Sequence, residues 1–205
     1  MESALSSSLS LCFLLFAFTT NFPLAFSGAP EKVTDSQGRP ISGAGKYYIS
    51  HVNGGPTGGG GLFLAQTGNS KCQVTILQDY YDGHRGLAVK LSTQGAGSGG
   101  GVLTETPLDV AVDFKPSCAS SSKWVVVADN FSQKWVGIGG ASDHPGAKII
   151  TGTLKIEKYN EGYKFVFCVS TTTCSDIGTF DDGETGKRLI LTNNAPFKIA
   201  FVSAS

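Results

Sequence analysis

Few side chains in this sequence carry a charge. Charged residues make up 16% of the 205, sixteen of each sign, and the formal net charge is zero; about a quarter is usual. Such a surface has no basic stripe for nucleic-acid phosphates and no cationic face for anionic lipid, so neither nucleic acid nor membrane is a partner. Histidine is scarce as well. His51, His84 and His144 lie far apart, each beside a turn signal ("YISHVNG", "YDGHRG", "SDHPG"). No G-x-S-x-G elbow supplies a nucleophile for them to activate, and Asp143 next to His144 reads as a turn. The glycine run "NGGPTGGGGLFLAQTG" from Asn53 is not followed by Gly-Lys-Ser/Thr, which excludes a phosphate-cradling loop and leaves a solvated one. Asp181, Asp182 and Glu184 in "FDDGETG" are neighbouring carboxylates, but glycosidic chemistry needs them facing each other across a substrate, and an Asp-Gly turn explains them with less. No catalytic residue, metal or cofactor is therefore assigned, and the chain reads as a binding protein and not as an enzyme.

Long apolar runs are also lacking. The first, Leu9 to Phe18, is too short to span a membrane. With small residues at Ala25 and Ser27 behind it, it reads as a secretory signal over residues 1–27, cleaved after Ser27, although no Lys or Arg precedes it. Residues 28–205 then form one domain with enough chain for a real core. Helical periodicity is missing throughout that domain, and alternation takes its place. Leu87, Val89 and Leu91 share one face of "LAVKLS"; Tyr163, Phe165, Phe167 and Val169 share one face of "YKFVFCV"; Phe197, Ile199 and Phe201 share one face of "FKIAFV". Turn signals such as "DSQGRP", "YDGH", "YNEG" and "TNNAP" separate these runs, which argues for an all-β sandwich or closed barrel. No internal repeat is visible.

Cys12 leaves with the signal, so Cys72, Cys118, Cys168 and Cys174 remain. Four cysteines in a secreted chain read as two disulfides, with three pairings open. Cys168 and Cys174 bracket "VSTTT" and can close a hairpin locally, leaving Cys72 with Cys118. Zinc is excluded by the absence of CxxC spacing and of a nearby histidine. Trp124, in "KWVVV", reads as core; Trp135, in "QKWVGIGG", is a candidate sugar-stacking platform. Asn130-Phe131-Ser132 is the one N-x-S/T sequon after the signal and makes Asn130 a candidate for N-glycosylation.

Several segments together resemble the plant Kunitz-type (soybean trypsin inhibitor) family. They are "VTDSQGRPISGAGKYYI" from Val33, "NSKCQVTILQ", "SSKWVVV" and "YKFVFCVSTTTCSDIGTFDDGETGKRLIL", in family order over the whole mature chain. The resemblance implies a β-trefoil of twelve strands, a six-stranded barrel plus a hairpin cap. It implies the disulfides Cys72–Cys118 and Cys168–Cys174, and a monomeric endopeptidase inhibitor, extracellular or vacuolar, whose partner is a serine or cysteine protease. Other members act on cysteine proteases or α-amylase through other surfaces. The alternative is a non-inhibitory member, a seed or defence storage protein or a ligand- or carbohydrate-binding trefoil.

The resemblance also places a reactive loop between the fourth and fifth strands, over Gln94 to Val102, which takes in most of "LSTQGAGSGGG". The scissile position falls near Ala96, Gly97 and Ser98. No Lys or Arg stands between Lys90 and Lys115, so the anionic specificity pocket of trypsin has nothing to bind there. Glycines at 95, 97, 99, 100 and 101 widen the backbone's freedom, and each residue fixed on docking costs about 1–2 kcal/mol. The supporting Asn of inhibitory members falls on Gly43, which lacks a side chain and so cannot brace anything. Trypsin is thus a doubtful target, and small residues such as Ala96 or Ser98 suit an elastase- or subtilisin-like pocket better.

Overall fold

The alternating runs become strands because each puts one apolar row on a common core. In the computed structural model, which describes residues 29–52, 59–93, 100–181, 183 and 185–204, these are β1 (Tyr47–His51), β2 (Leu62–Ala65), β3 (Thr75–Gln78), β4 (Ala88–Thr93), β5 (Leu108–Val112), β6 (Trp124–Ala128), β7 (Trp135–Ile138), β8 (Lys148–Ile150), β9 (Thr153–Tyr159), β10 (Gly162–Cys168), β11 (Cys174–Asp181), β12 (Lys187–Thr192) and β13 (Ile199–Ser203). The sole helical element among the described residues is a 3₁₀ turn over Ala141–Asp143.

Every strand pairing is antiparallel, and two closed figures result. β13, β1, β4, β5, β9 and β10 pair in that order, and Tyr163 opposite Ile199 joins β10 back to β13, closing a six-stranded barrel. The hairpins β2–β3, β6–β7 and β11–β12 form a cap. Their inner strands meet in a triangle through Thr75–Gly137, Ile190–Trp135 and Lys187–Gln78. β8 and β9 are two halves of one path bent at Thr151–Gly152, the first pairing with β6 in the cap and the second with β5 and β10 in the barrel. Counted as one, they leave twelve strands in three four-strand units. This is the all-β trefoil.

The core fills the barrel and rises into the cap. Ile49, Val89, Leu91, Ile156, Ile199 and Phe201 are completely buried, and Trp124 packs on Phe165 with ring centroids 5.2 Å apart. Val169 departs from expectation: it is 47% exposed, because β10 ends at Cys168 and the chain turns away into the next hairpin. Cys168 and Cys174 face each other across that hairpin and are bonded; Cys72, before β3, is bonded to Cys118, before β6. No helix among the described residues is long and apolar enough to cross a membrane.

Candidate functional site

The loop that joins β4 to β5 leaves the barrel from a firmly paired hairpin. Leu91, Ser92 and Thr93 stand opposite Val110, Asp109 and Leu108, so the entry is fixed to the last residue of β4. Ala96, Gly97 and Ser98 lie outside the described residues. The exit, from Gly100 onward, is held by the N-terminal segment. The Gly43 N–H donates to the Gly100 carbonyl (3.2 Å), the Val102 N–H to Ile41 O (3.1 Å), and the Val33 N–H to Val102 O (2.9 Å). One turn further on, the Thr104 N–H donates to Glu31 O at 2.8 Å, and the Glu31 N–H returns a bond to Thr104 Oγ1 at 2.9 Å. Val33, Ile41 and Val102 are fully buried beneath this ladder and weld it to the core.

Two expectations change here. Gly43 does brace the loop, through its backbone and not through a side chain. Gly100 and Gly101 are not free: Gly101 pairs with Ser42, and a Cβ on it would meet only Ile41 O, at an ordinary 3.8 Å. Sequence reasoning missed this clamp. Its signal was the apolar spacing of Val33, Ile41 and Val102, residues too far apart for a periodicity window to connect.

The clamp is itself anchored by Asp35. That carboxylate accepts the Gln37 and Arg39 N–H groups and Arg39 Nε, each at 2.9 Å, and an Arg39 terminal nitrogen lies 2.8 Å from its second oxygen. Gly38, at φ +77°, closes the turn between them. The Ser36 N–H donates to Phe201 O at 2.8 Å, tying the turn to β13. Burial alone would raise the Asp35 pKa, but the bonds from Arg39 and Gln37 and the guanidinium charge outweigh it and hold the group below the usual carboxylate value.

The remaining candidates take structural roles. The end of the second glycine run is packed tight: a Cβ on Gly60 would fall 2.1 Å from Tyr81 O, and one on Gly61 2.0 Å from Arg85 O. These glycines let the Asp79–Gly86 loop lie against the chain, which corrects the reading of a wholly solvated run. His144 is buried, with Nε2 donating to Ile138 O at 2.9 Å, while Asp143 turns to Ser120 and to the Gly140 N–H. They are not a catalytic pair. Asp181 accepts the Gly183 N–H and the Tyr80 hydroxyl; Asp182 and Glu184 lie outside the described residues. Trp124 and Trp135 are 7% and 4% exposed, so neither offers a free ring face, and Trp135 donates Nε1 to Asp129. Asn130 is exposed at the tip of the β6–β7 hairpin. Among the described residues no group of three His, Cys, Asp or Glu side chains is placed to hold a metal ion.

A barrel-and-cap trefoil with a loop clamped at the β4–β5 junction invites comparison with known proteins. Residues 33–203 match the legume Kunitz family, described as trypsin and protease inhibitor. The chain belongs to that family. Among Kunitz relatives, a Kunitz-type trypsin inhibitor-like 2 protein from Pisum sativum is 46% identical over 97% of this chain and 93% of its own. Subtilisin inhibitor CLSI-II from Canavalia lineata is 49% identical over 85% of this chain and 93% of its own. The crystal structure of a Kunitz-type trypsin inhibitor from Cicer arietinum has a TM-score of 0.81 at 43% identity, covering 85% of this chain and 99% of that one. Kunitz relatives thus carry names that point to different proteases on one scaffold.

Proposed function

We propose that this chain is a secreted inhibitor of serine endopeptidases of the subtilisin or elastase type, and not an enzyme. It docks through the β4–β5 loop as a monomer, with a residue from Ala96 to Ser98 opposite the catalytic nucleophile. The observation that carries the reading is the clamp on the loop's exit. An inhibitor must present a substrate-like segment at low ordering cost and keep its ends from separating, and the backbone bonds that join Gly43 to Gly100 and Val102 to Ile41 support this by tying the loop's exit to the core. The missing basic residue argues against trypsin, and the likeness to a subtilisin inhibitor supports a target that accepts small groups. Residues 1–27 direct the chain into the secretory route and are removed after Ser27. Its final place is extracellular or vacuolar.

The test is titration of trypsin, pancreatic elastase, subtilisin and papain with the disulfide-intact mature protein. Stoichiometric inhibition of subtilisin or elastase, lost when Ala96, Gly97 and Ser98 are replaced together by bulky residues, is the expected result. Inhibition of papain alone would move the site to another surface. A panel left fully active would overturn the reading in favour of a storage or ligand-binding trefoil.

A further inference from the structure

A cleft of about 570 Å³ opens on the cap, and its lining includes no residue of β4 or β5. The turn after β2 supplies one wall with Asn69 and Ser70, residues 144–147 supply another, and the tip of the β6–β7 hairpin forms the rim. Its floor is Trp135 and Arg188, both buried, with the guanidinium carbon 4.2 Å from the centre of the Phe131 ring. Asp129 shapes the rim: its Oδ1 accepts the Phe131 N–H at 2.9 Å and the Trp135 indole N–H at 3.2 Å, which holds the hairpin tip over the cleft. The residue at that tip is Asn130. Asn130 and Ser132, the two ends of the sequon, are both exposed.

We propose that Asn130 carries an N-linked oligosaccharide whose first N-acetylglucosamine lies in this cleft, between Phe131 and the Asn69–Ser70 turn. The inference rests on the secretory route proposed above. The half-exposed Phe131 ring beside the Asn69 amide and the Ser70 hydroxyl suits a pyranose, whose ring faces are apolar and whose rim is polar. Tethering decides between this sugar and a free one. Contacts too weak to capture a dissolved saccharide suffice for one bonded to the rim, because the second contact is then intramolecular. The bond formed joins Asn130 Nδ2 to C1 of the sugar. The bond broken joins that C1 to the pyrophosphate of a lipid-linked oligosaccharide donor. The pyrophosphate leaves with the bonding electrons, and the amide gives up one proton.

The experiment is expression of the full chain in plant cells, followed by intact mass and hydrogen exchange. The expected mass exceeds that of residues 28–205 by an oligosaccharide, which peptide N-glycosidase removes and which Ser132→Ala and Asn130→Gln both abolish. Backbone exchange over residues 67–70 and 144–147, remote from Asn130 in sequence, is expected to be several-fold slower in the glycosylated protein than in Ser132→Ala. A processed, disulfide-bonded chain with no added mass would overturn this proposal and leave secretion standing. A chain that keeps residues 1–27 and free thiols would overturn both. Added mass with unchanged exchange would mean that the sugar projects into solvent, which overturns its seat in the cleft.

Discussion

At Asp35 one carboxylate connects folding to the presentation of the β4–β5 loop. Its pKa is lower in the folded chain than in the unfolded one, because the Arg39 and Gln37 donors outweigh burial. A depressed carboxylate stabilises the fold fully above its unfolded value, about pH 4, and that contribution disappears as pH falls through the folded value. We expect Asp35→Asn to lower the melting temperature at neutral pH and to flatten the acid limb of the stability curve; an unchanged acid limb would refute the assignment. Because the Asp35 turn anchors the segment that clamps Gly100 and Val102, the variant should also inhibit less well at temperatures where it is still folded. Glycines give a sharper contrast. Gly38 has φ +77° in open space, so Gly38→Ala pays only for a left-handed backbone, about 1 kcal/mol. Gly86 has φ +69°, and a Cβ would also fall 2.2 Å from Leu62 O. Gly86→Ala should therefore cost clearly more than Gly38→Ala, about 3 kcal/mol, and equal denaturation midpoints would contradict the packing. "DSQGRP" is legible as a turn in the sequence. That Ser36 within it bonds to Phe201 is not, because a partner so far along the chain leaves no local signature.

The strands are the legible elements, since period-two alternation survives wherever one face is buried. It identifies Val89 and Leu91 in β4, Phe165 in β10, and Ile199 and Phe201 in β13. It fails at Val169, where the apolar letter continues past the end of β10 into the turn that leads to β11. Local spacing suggested a Cys168–Cys174 hairpin, and the strand register puts the two residues opposite each other. The two disulfides constrain very different amounts of chain, with sequence separations of 46 and 6. Loop-closure entropy then assigns about 4 kcal/mol to Cys72–Cys118 and about 2 kcal/mol to Cys168–Cys174. Accordingly, Cys72→Ala with Cys118→Ala should destabilise the protein by more than Cys168→Ala with Cys174→Ala in urea unfolding. The reverse order would show that the short bridge holds native structure that chain entropy does not count.

Over the whole molecule, the threefold plan lies in backbone pairing, which is why no repeat shows in the residues. The cap triangle closes through Thr75–Gly137, Ile190–Trp135 and Lys187–Gln78, three chemically unlike contacts that share a place and not a side chain. A closed barrel needs apolar rows at fixed registers and accepts many residues in them, so family likeness was the route to the trefoil and periodicity alone stopped at sandwich or barrel. The same separation governs the candidate site. Its ends, at Thr93 and Gly100, are fixed by backbone bonds to β5 and to Gly43. Because backbone bonds hold those ends, the loop's specificity should change without a change in fold. Ser98→Arg supplies the basic anchor that trypsin's pocket requires. It should raise affinity for trypsin by roughly tenfold or more, about 1.4 kcal/mol, leave the melting temperature where it was, and weaken inhibition of subtilisin. If trypsin instead cuts at position 98 and the fragments lose inhibition, the clamp does not hold the cleaved ends and the loop is a substrate. If trypsin ignores the variant while subtilisin is still inhibited, the reactive position lies elsewhere in the loop than Ser98.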